Sequence, residues 1–190
     1  MGKITVTRTP LPGVLLVKPQ HFIDSRGFFV ESYNKKDFQD AGIIDEFVQD
    51  NHSKSQKGVL RGLHFQYPHA QGKLVRVLKG SVFDAVIDIR VGSPSYGLIF
   101  TITLDENNPA MLYIPAGFAH GFLALKDDTE IIYKVTDYYY PPGDAGIIWN
   151  DPDLNIPWPL NEINMREPVL SEKDTKHPKL SEFRSPFTYK

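Results

Sequence analysis

A chain of 190 residues can bury one continuous hydrophobic core, so we expect a single domain over residues 1–190. Its net charge of -2 provides no broad positive surface, which argues against nucleic acid as a partner. The absence of cysteine excludes disulfides, thiol nucleophiles and cysteine-ligated metal centres, and it is compatible with a reducing cytoplasm. With no signal-peptide pattern and no apolar run long enough to cross a membrane, the sequence predicts a soluble cytoplasmic protein.

Short runs of β-branched and aromatic residues recur between Gly, Pro, Asn and Asp, and they predict many short strands. In chain order these runs are VLLV, FFVESY, KLVRVLKGSVFDAVIDI, LIFTITL, MLYI, EIIYKV and GIIW. Residues 75–88 are predicted to form a hairpin that turns near Lys79-Gly80, and residues 98–104 alternate as a half-buried strand does. Because strand edges must be protected, the pattern favours a sandwich or small barrel, and a jelly roll fits best.

Helix is predicted to be the minority structure. One short helix is expected to begin near Asn34 and another at Ser171, with Pro178 limiting the length of the second. No repeat, low-complexity tract or long linker interrupts the chain. The segment 157–190 is richer in proline and charge, and we expect this tail to pack on the barrel.

Five sequence blocks resemble those of the dTDP-4-dehydrorhamnose 3,5-epimerase family: DSRGFFVESY, QDNHSKSQKGVLRGLHFQ, QGKLVRVLKGSVFDAVIDIRVGSPSYG, YIPAGFAHGFLAL and YKVTDYYYPPGDAGIIWNDPDLNIPWP. With a sixth, LSEKD, they run in the family's order over residues 24–174. The resemblance implies an all-β, cupin-type jelly-roll barrel (a double-stranded β-helix) with a few short peripheral helices, acting as a homodimer without metal or other cofactor. It further implies an isomerase that converts dTDP-4-dehydro-6-deoxy-D-glucose to dTDP-4-dehydro-L-rhamnose by inverting C3 and C5, in dTDP-L-rhamnose biosynthesis.

To invert a carbon next to a ketone, an enzyme needs a base on one face of the sugar and a proton donor on the other. Removal of the proton forms an enolate, whose oxygen needs a positive or hydrogen-bonding partner. An imidazole suits the first role because it titrates near neutral pH, and the family has its catalytic histidine at the position of His64. By resemblance, Asp174 is the carboxylate that orients this imidazole. The S-x-x-D spacing from Ser171 is also that of a helix cap, so both interpretations of Asp174 remain open.

The resemblance implies that Tyr133 returns a proton on the face opposite His64. It also implies that Lys73 stabilises the enolate, since an ammonium group favours the charged intermediate over the neutral ketone. A tyrosine on an apolar strand is usually packed in the core, so a structural role for Tyr133 remains open. Tyr139 is expected to line the pocket. Arg61 is expected to contact the carbonyl or a phosphate, and Asp84 to orient a neighbouring cation or histidine.

The block that contains Arg26 resembles the part of the family that holds the nucleotide, which there comes from the partner subunit. The resemblance implies that Phe29 stacks on thymine, Glu31 accepts from its ring N–H and Arg26 meets the diphosphate. Gln49 and Asn51 are expected to add hydrogen bonds. The chain has no P-loop and no strand–GxGxxG–helix unit, so side chains are expected to hold the phosphates.

Three alternatives remain open. A one-centre epimerase would share much of this scaffold, and a non-catalytic module would bind the sugar nucleotide without exchanging its hydrogens. A metal-dependent cupin oxygenase or isomerase would use His120, whose block resembles a cupin metal motif, but His64 and His120 alone are too few ligands. We therefore assign His120 to the pocket wall and expect no metal. The remaining histidines are expected to be exposed and non-functional: His21, His52, His69 and His177.

Overall fold

The computed structural model describes residues 3–189. In that range the secondary structure consists of short strands, one α-helix and three 3-10 helices. The strands are β1 (Ile4–Arg8), β2 (Leu15–Pro19), β3 (His21–Asp24), β4 (Gly27–Val30), β5 (Gln49–Ser55), β6 (Leu60–Gln66), β7 (Lys73–Lys79), β8 (Ser81–Asp88), β9 (Ile99–Asp105), β10 (Met111–Ile114), β11 (Phe118–Ala124), β12 (Thr129–Val135) and β13 (Asp144–Gly146). The helix is α1 (Lys35–Asp40), and the 3-10 helices are Pro141–Gly143, Asn161–Ile163 and Leu180–Glu182.

The core lies between two antiparallel sheets. A six-stranded sheet has the order β1-β2-β10-β7-β12-β5, and a five-stranded sheet has the order β13-β6-β11-β8-β9. Alternate residues of both sheets point inward and form one apolar cluster, which includes Val75 and Ile131 from the first sheet and Val86 and Phe122 from the second. The predicted all-β jelly-roll barrel is thereby confirmed.

The predicted hairpin over residues 75–88 is wrong. Strands β7 and β8 follow one another directly, but β7 belongs to the six-stranded sheet and β8 to the five-stranded sheet. Gly80 forms the corner between them with a φ of 80°, and a Cβ there would lie 2.4 Å from Thr129 Oγ1. The alternation of apolar residues predicted both strands, but it contains no information about the strand with which each one pairs.

The first predicted helix is confirmed and the second is wrong. Helix α1 begins after Asn34, whose Oδ1 accepts from the Lys36 N–H at 3.1 Å. At the second position, residues 172–175 form turns. Ser171 Oγ still accepts from the Asp174 N–H at 3.2 Å, so the cap contact forms without a helix behind it.

Part of the tail packs on the outside of the five-stranded sheet. Val169 forms a bridge with Val59, and the rings of Phe183 and Phe187 lie 5.0 Å and 5.9 Å from that of Phe65. Strands β3 and β4 form a separate two-stranded hairpin whose apolar side chains are exposed. Among residues 3–189, no helix has the length and apolar character needed to span a membrane.

Candidate active site

A cavity of about 410 Å³ opens between the two sheets. A second opening of about 300 Å³ adjoins it and shares His64, Lys73 and Tyr133 with it. Together the two are lined by nine of the predicted site residues: Gln49, Asn51, Arg61, His64, Lys73, His120, Tyr133, Tyr139 and Asp174. These predicted catalytic and binding side chains therefore lie around two adjoining openings.

His64 and Asp174 form a close pair, although they are 110 residues apart in the sequence. His64 lies on β6, and its Nε2 is 2.5 Å from Oδ1 of Asp174. The other carboxylate oxygen, Oδ2, accepts from the Ser171 hydroxyl at 2.8 Å. Asp174 can therefore contact Ser171 and orient His64 at the same time, because each contact uses a different carboxylate oxygen.

The pKa values of this pair favour a neutral imidazole beside a charged carboxylate. Burial lowers the pKa of His64, while Asp174 opposes that shift. Burial opposes ionisation of Asp174, but its neighbours His177, His64 and Ser171 outweigh that effect and hold the pKa of Asp174 well below its usual range. A neutral ring with an ordered carboxylate partner can accept a proton at neutral pH.

Tyr133 and Lys73 face the cavity from the opposite sheet. They lie on neighbouring strands, with Tyr133 paired with the inward-facing Val75 and Lys73 two residues before Val75 on β7. Burial raises the pKa of Tyr133, with Arg61 opposing, so the phenol keeps its proton. Burial lowers the pKa of Lys73 to about 8, while Asp84 and Asp144 oppose that shift.

A second imidazole–carboxylate pair lies beside the first. His120 on β11 is directly opposite His64 on β6. Its Nε2 lies 3.0 Å and 2.9 Å from the two oxygens of the fully buried Asp84, which therefore orients a histidine as expected. Two glycines allow the strands to approach this closely, because a Cβ on Gly62 would lie 2.4 Å from the Cα of Gly121.

Within the described residues, one group of side chains could hold a metal ion: His64, Asp174 and His177 each offer one ligand atom, and these atoms lie within 4.8 Å of one another. A tetrahedral zinc ion with bonds of about 2.0–2.1 Å would hold its ligand atoms roughly 3.3 Å apart. The 2.5 Å between His64 and Asp174 is instead the length of a hydrogen bond. His120, the ligand that a cupin metal site would use, is engaged by Asp84. The geometry fits acid–base chemistry better than metal binding.

Three residues of the site were missed by the sequence interpretation. His177 was expected to be exposed, but its side chain is only 9% exposed, and its ring lies edge-on to that of His64 with the centroids 5.7 Å apart. Lys173 and Asp144 contact one another and line the second opening. Lys173 could have been found from its place beside Asp174 in LSEKD. The burial of His177 depends on tertiary contacts.

Three of the predicted nucleotide-binding residues lie away from the cavity, on or next to the β3–β4 hairpin. Arg26 pairs with Asp24 at 2.5 Å on the β3–β4 hairpin, and Phe29 is 62% exposed. Glu31 accepts from the Asn34 amide at 3.0 Å. None of the three predicted side chains lines either opening among the described residues.

Comparisons with known proteins agree on one family. Residues 8–182 match the family model described as dTDP-4-dehydrorhamnose 3,5-epimerase. The chain is 51% identical over 169 residues to the dTDP-4-dehydrorhamnose 3,5-epimerase of Pseudomonas aeruginosa, covering 88% of this chain and 91% of that relative. It is similar to the crystal structure of dTDP-6-deoxy-D-glucose-3,5-epimerase from Legionella pneumophila in complex with dTDP-4-keto-L-rhamnose, with a TM-score of 0.93 and 42% identity over 98% of this chain and 99% of that chain. A 3′-monoepimerase from Streptomyces bikiniensis, in complex with dTDP-quinovose, is 31% identical with a TM-score of 0.83 over 92% of this chain and 88% of that chain.

Proposed function

The chain belongs to the dTDP-4-dehydrorhamnose 3,5-epimerase family, and we propose that its cavity inverts C3 and C5 of dTDP-4-dehydro-6-deoxy-D-glucose with a base from one sheet and a phenol from the other. It is a carbohydrate epimerase of dTDP-rhamnose biosynthesis. The observation that carries the mechanism is the presence of His64 with its carboxylate and of Tyr133 with Lys73 on opposite walls of one cavity. A cytoplasmic location, with which the cysteine-free composition is compatible, is part of the same proposal.

In the first step, His64 removes a proton from a carbon next to the C4 carbonyl. The Nε2–H of His64 donates to Asp174, which leaves the lone pair of the neutral ring on Nδ1 for the substrate. The Asp174 carboxylate then stabilises the imidazolium as it forms. Because burial keeps the pKa of His64 low, the ring is the free base at neutral pH.

In the second step, the enolate is stabilised and receives a proton on its other face. The electron pair of the broken C–H bond moves onto the C4 oxygen, where the Lys73 ammonium stabilises the negative charge. With a pKa of about 8, Lys73 is mostly protonated at neutral pH. Tyr133 gives its hydroxyl proton to the carbon from the opposite side, which inverts the centre. His64 then releases its proton to solvent and Tyr133 takes one up, so that the same steps at the second carbon complete the reaction.

Deuterium labelling tests this function directly. Incubation of dTDP-4-dehydro-6-deoxy-D-glucose with the protein in heavy water should introduce deuterium at both C3 and C5, and His64→Asn should abolish both incorporations. His52→Asn is the matched control, because His52 is an exposed histidine that pairs with Glu130 at 3.2 Å. Label at one carbon would favour the second candidate, a one-centre epimerase, which the similarity to the 3′-monoepimerase keeps open. No label at either carbon would refute both.

We also propose a homodimer in which the β3–β4 hairpin of each subunit completes the nucleotide site of its partner. The hairpin exposes Phe22, Ile23, Phe28 and Phe29, and a patch of apolar side chains of this kind indicates an interaction surface. In this assembly Phe29 stacks on thymine, Glu31 accepts from its ring N–H and Arg26 binds the diphosphate. Gln49 and Asn51 of the receiving subunit add hydrogen bonds.

Mixed dimers test whether the hairpin crosses between subunits. One chain carries His64→Asn, and the other carries Arg26→Ala with Phe29→Ala; each variant alone should be inactive or strongly impaired. Co-expression should restore activity, because one site of each mixed dimer then combines an intact base with an intact hairpin. A hairpin that served its own subunit would give no restoration, and sedimentation as a monomer would refute the dimer itself.

A further inference from the structure

The Nε2 atom of His177 is buried without a hydrogen-bond partner among residues 3–189. It lies 3.6 Å from Oδ1 of Asp174, the oxygen that is 2.5 Å from His64 Nε2. At 3.6 Å the contact is too long for a hydrogen bond, and a buried polar atom that lacks one is costly. Such an atom requires an explanation, and here it lies beside the proposed base.

The fold holds the His177 ring against this pair. A Cβ on Gly146 would lie 2.7 Å from His177 Nε2, so β13 comes close to the ring because it has no side chain there. The next residue, Pro178, accepts a backbone hydrogen bond from Ile148 at 2.9 Å, which fixes the chain beside the ring. Edge-on contact with His64 restricts a further side of the ring.

The other charged groups near the ring have contacts of their own. Lys173 contacts Asp144 of β13, and Lys176 contacts Glu172. From β7, Lys73 donates to the main-chain carbonyl of His64 at 3.3 Å. Asp174 is left as the carboxylate that two imidazoles face, and no ammonium group within the described range forms an ion pair with it.

We propose that His177 is a positioning residue of the active site, and that it shares the Asp174 carboxylate with His64. The inference rests on the proposed role of His64 as the base. A movement of roughly 0.6 Å would bring His177 Nε2 to the hydrogen-bond distance of about 3.0 Å from Oδ1. When both rings donate to that oxygen, its charge is divided between them. The imidazolium form of His64 then gains less from Asp174, and His64 remains a free base at lower pH.

Replacement of His177 should therefore change the pH profile. His177→Phe keeps a flat ring but removes the donor, so Asp174 serves His64 alone and the pKa of His64 rises. In the pH profile of kcat/KM, the acidic limb is the fall in activity at low pH as His64 becomes protonated. We expect this limb to move to higher pH by about 0.4–1 unit, the equivalent of one net hydrogen bond. His177→Gln, which retains an uncharged N–H donor, should shift the limb less, and His52→Phe should not shift it. An equal loss of activity at all pH values, with the limb unmoved, would mean that His177 is only structural and would overturn the proposal.

A measurement on the unmodified protein decides the question even if the variants fold poorly. Nitrogen NMR of the imidazoles, without substrate, should show a hydrogen-bonded Nε2–H on His177 whose signal moves as His64 takes up its proton. A His177 signal that does not respond to protonation of His64 would overturn the proposal. Because this readout does not involve turnover, a coupled response without deuterium exchange would refute the proposed function alone. Exchange at C3 and C5 with uncoupled histidines would refute only the role of His177.

Discussion

Replacing Asp174 with Asn tests the charge of the carboxylate while almost preserving its shape. The side chain is buried, with one oxygen on His64 and the other on Ser171, so the amide can keep the second contact. What disappears is the negative charge next to the imidazolium that forms during proton abstraction. The neutral amide also no longer selects the tautomer of His64 that has its lone pair toward the substrate.

The size of the effect follows from the type of hydrogen bond that is lost. A hydrogen bond to a charged group contributes about 1.5–3 kcal/mol, and each 1.36 kcal/mol is tenfold in rate, so kcat should fall by about 10- to 150-fold. Because the amide would no longer fix the tautomer of His64, kcat should fall further. The acidic limb should move to lower pH, because Asp174 raises the pKa of His64 whereas burial, which remains, lowers it.

The assay is the initial rate of epimerisation between pH 5 and 9, followed by proton NMR of the sugar. Ser171→Ala is the control, since it removes the cap contacts of Asp174 and leaves the contact with His64. It should lower the free energy of unfolding by about 1 kcal/mol and change kcat only a few-fold. A D174N variant with unchanged kcat, or with a limb moved to higher pH, would refute the proposed coupling of His64 to Asp174.

Four further predictions concern the rest of the site. Tyr133→Phe should retain deuterium exchange by His64 but lose full inversion, as NMR of the products will show. Activity should decline as pH rises through about 8, where Lys73 loses its proton; Lys73→Arg should lower kcat but extend activity to higher pH, because a guanidinium does not deprotonate there. Gly146→Ala should lower the free energy of unfolding by about 1–3 kcal/mol in a denaturant titration, since its Cβ would lie 2.4 Å from the Leu63 carbonyl oxygen. Dialysis against a chelator should leave kcat unchanged, and a loss that Zn²⁺ restores would indicate a metal enzyme.

Local patterns predicted the strands better than their arrangement. Alternation and β-branched residues mark β7 and β8 clearly, and Asn34 marks the start of α1. Whether two successive strands pair or separate into different sheets depends on contacts between distant residues, such as that between Gly80 and Thr129. Local sequence does not contain this information.

The site was predictable where a residue lies inside a recognisable block. His64, Lys73, Tyr133 and Asp174 all lie in such blocks, and the structure brings all four around one cavity. His177 follows LSEKD by a few residues in a polar stretch that resembles an exposed turn. Its burial is produced by the packing of the tail on β13, which no local pattern indicates.

The two halves of the proposed chemistry are attached to different sheets, and hydrocarbon side chains determine the distance between them. Val75 and Ile131 on one side meet Val86 and Phe122 on the other, in the same layer as the cavity. Loss of a methylene from this layer would let the walls approach or tilt, and a shift of about 1 Å in a reacting group can cost 100-fold in rate. A substitution in the hydrophobic core can therefore separate enzymes that invert two centres from enzymes that invert one, even when every polar group of the reaction is retained.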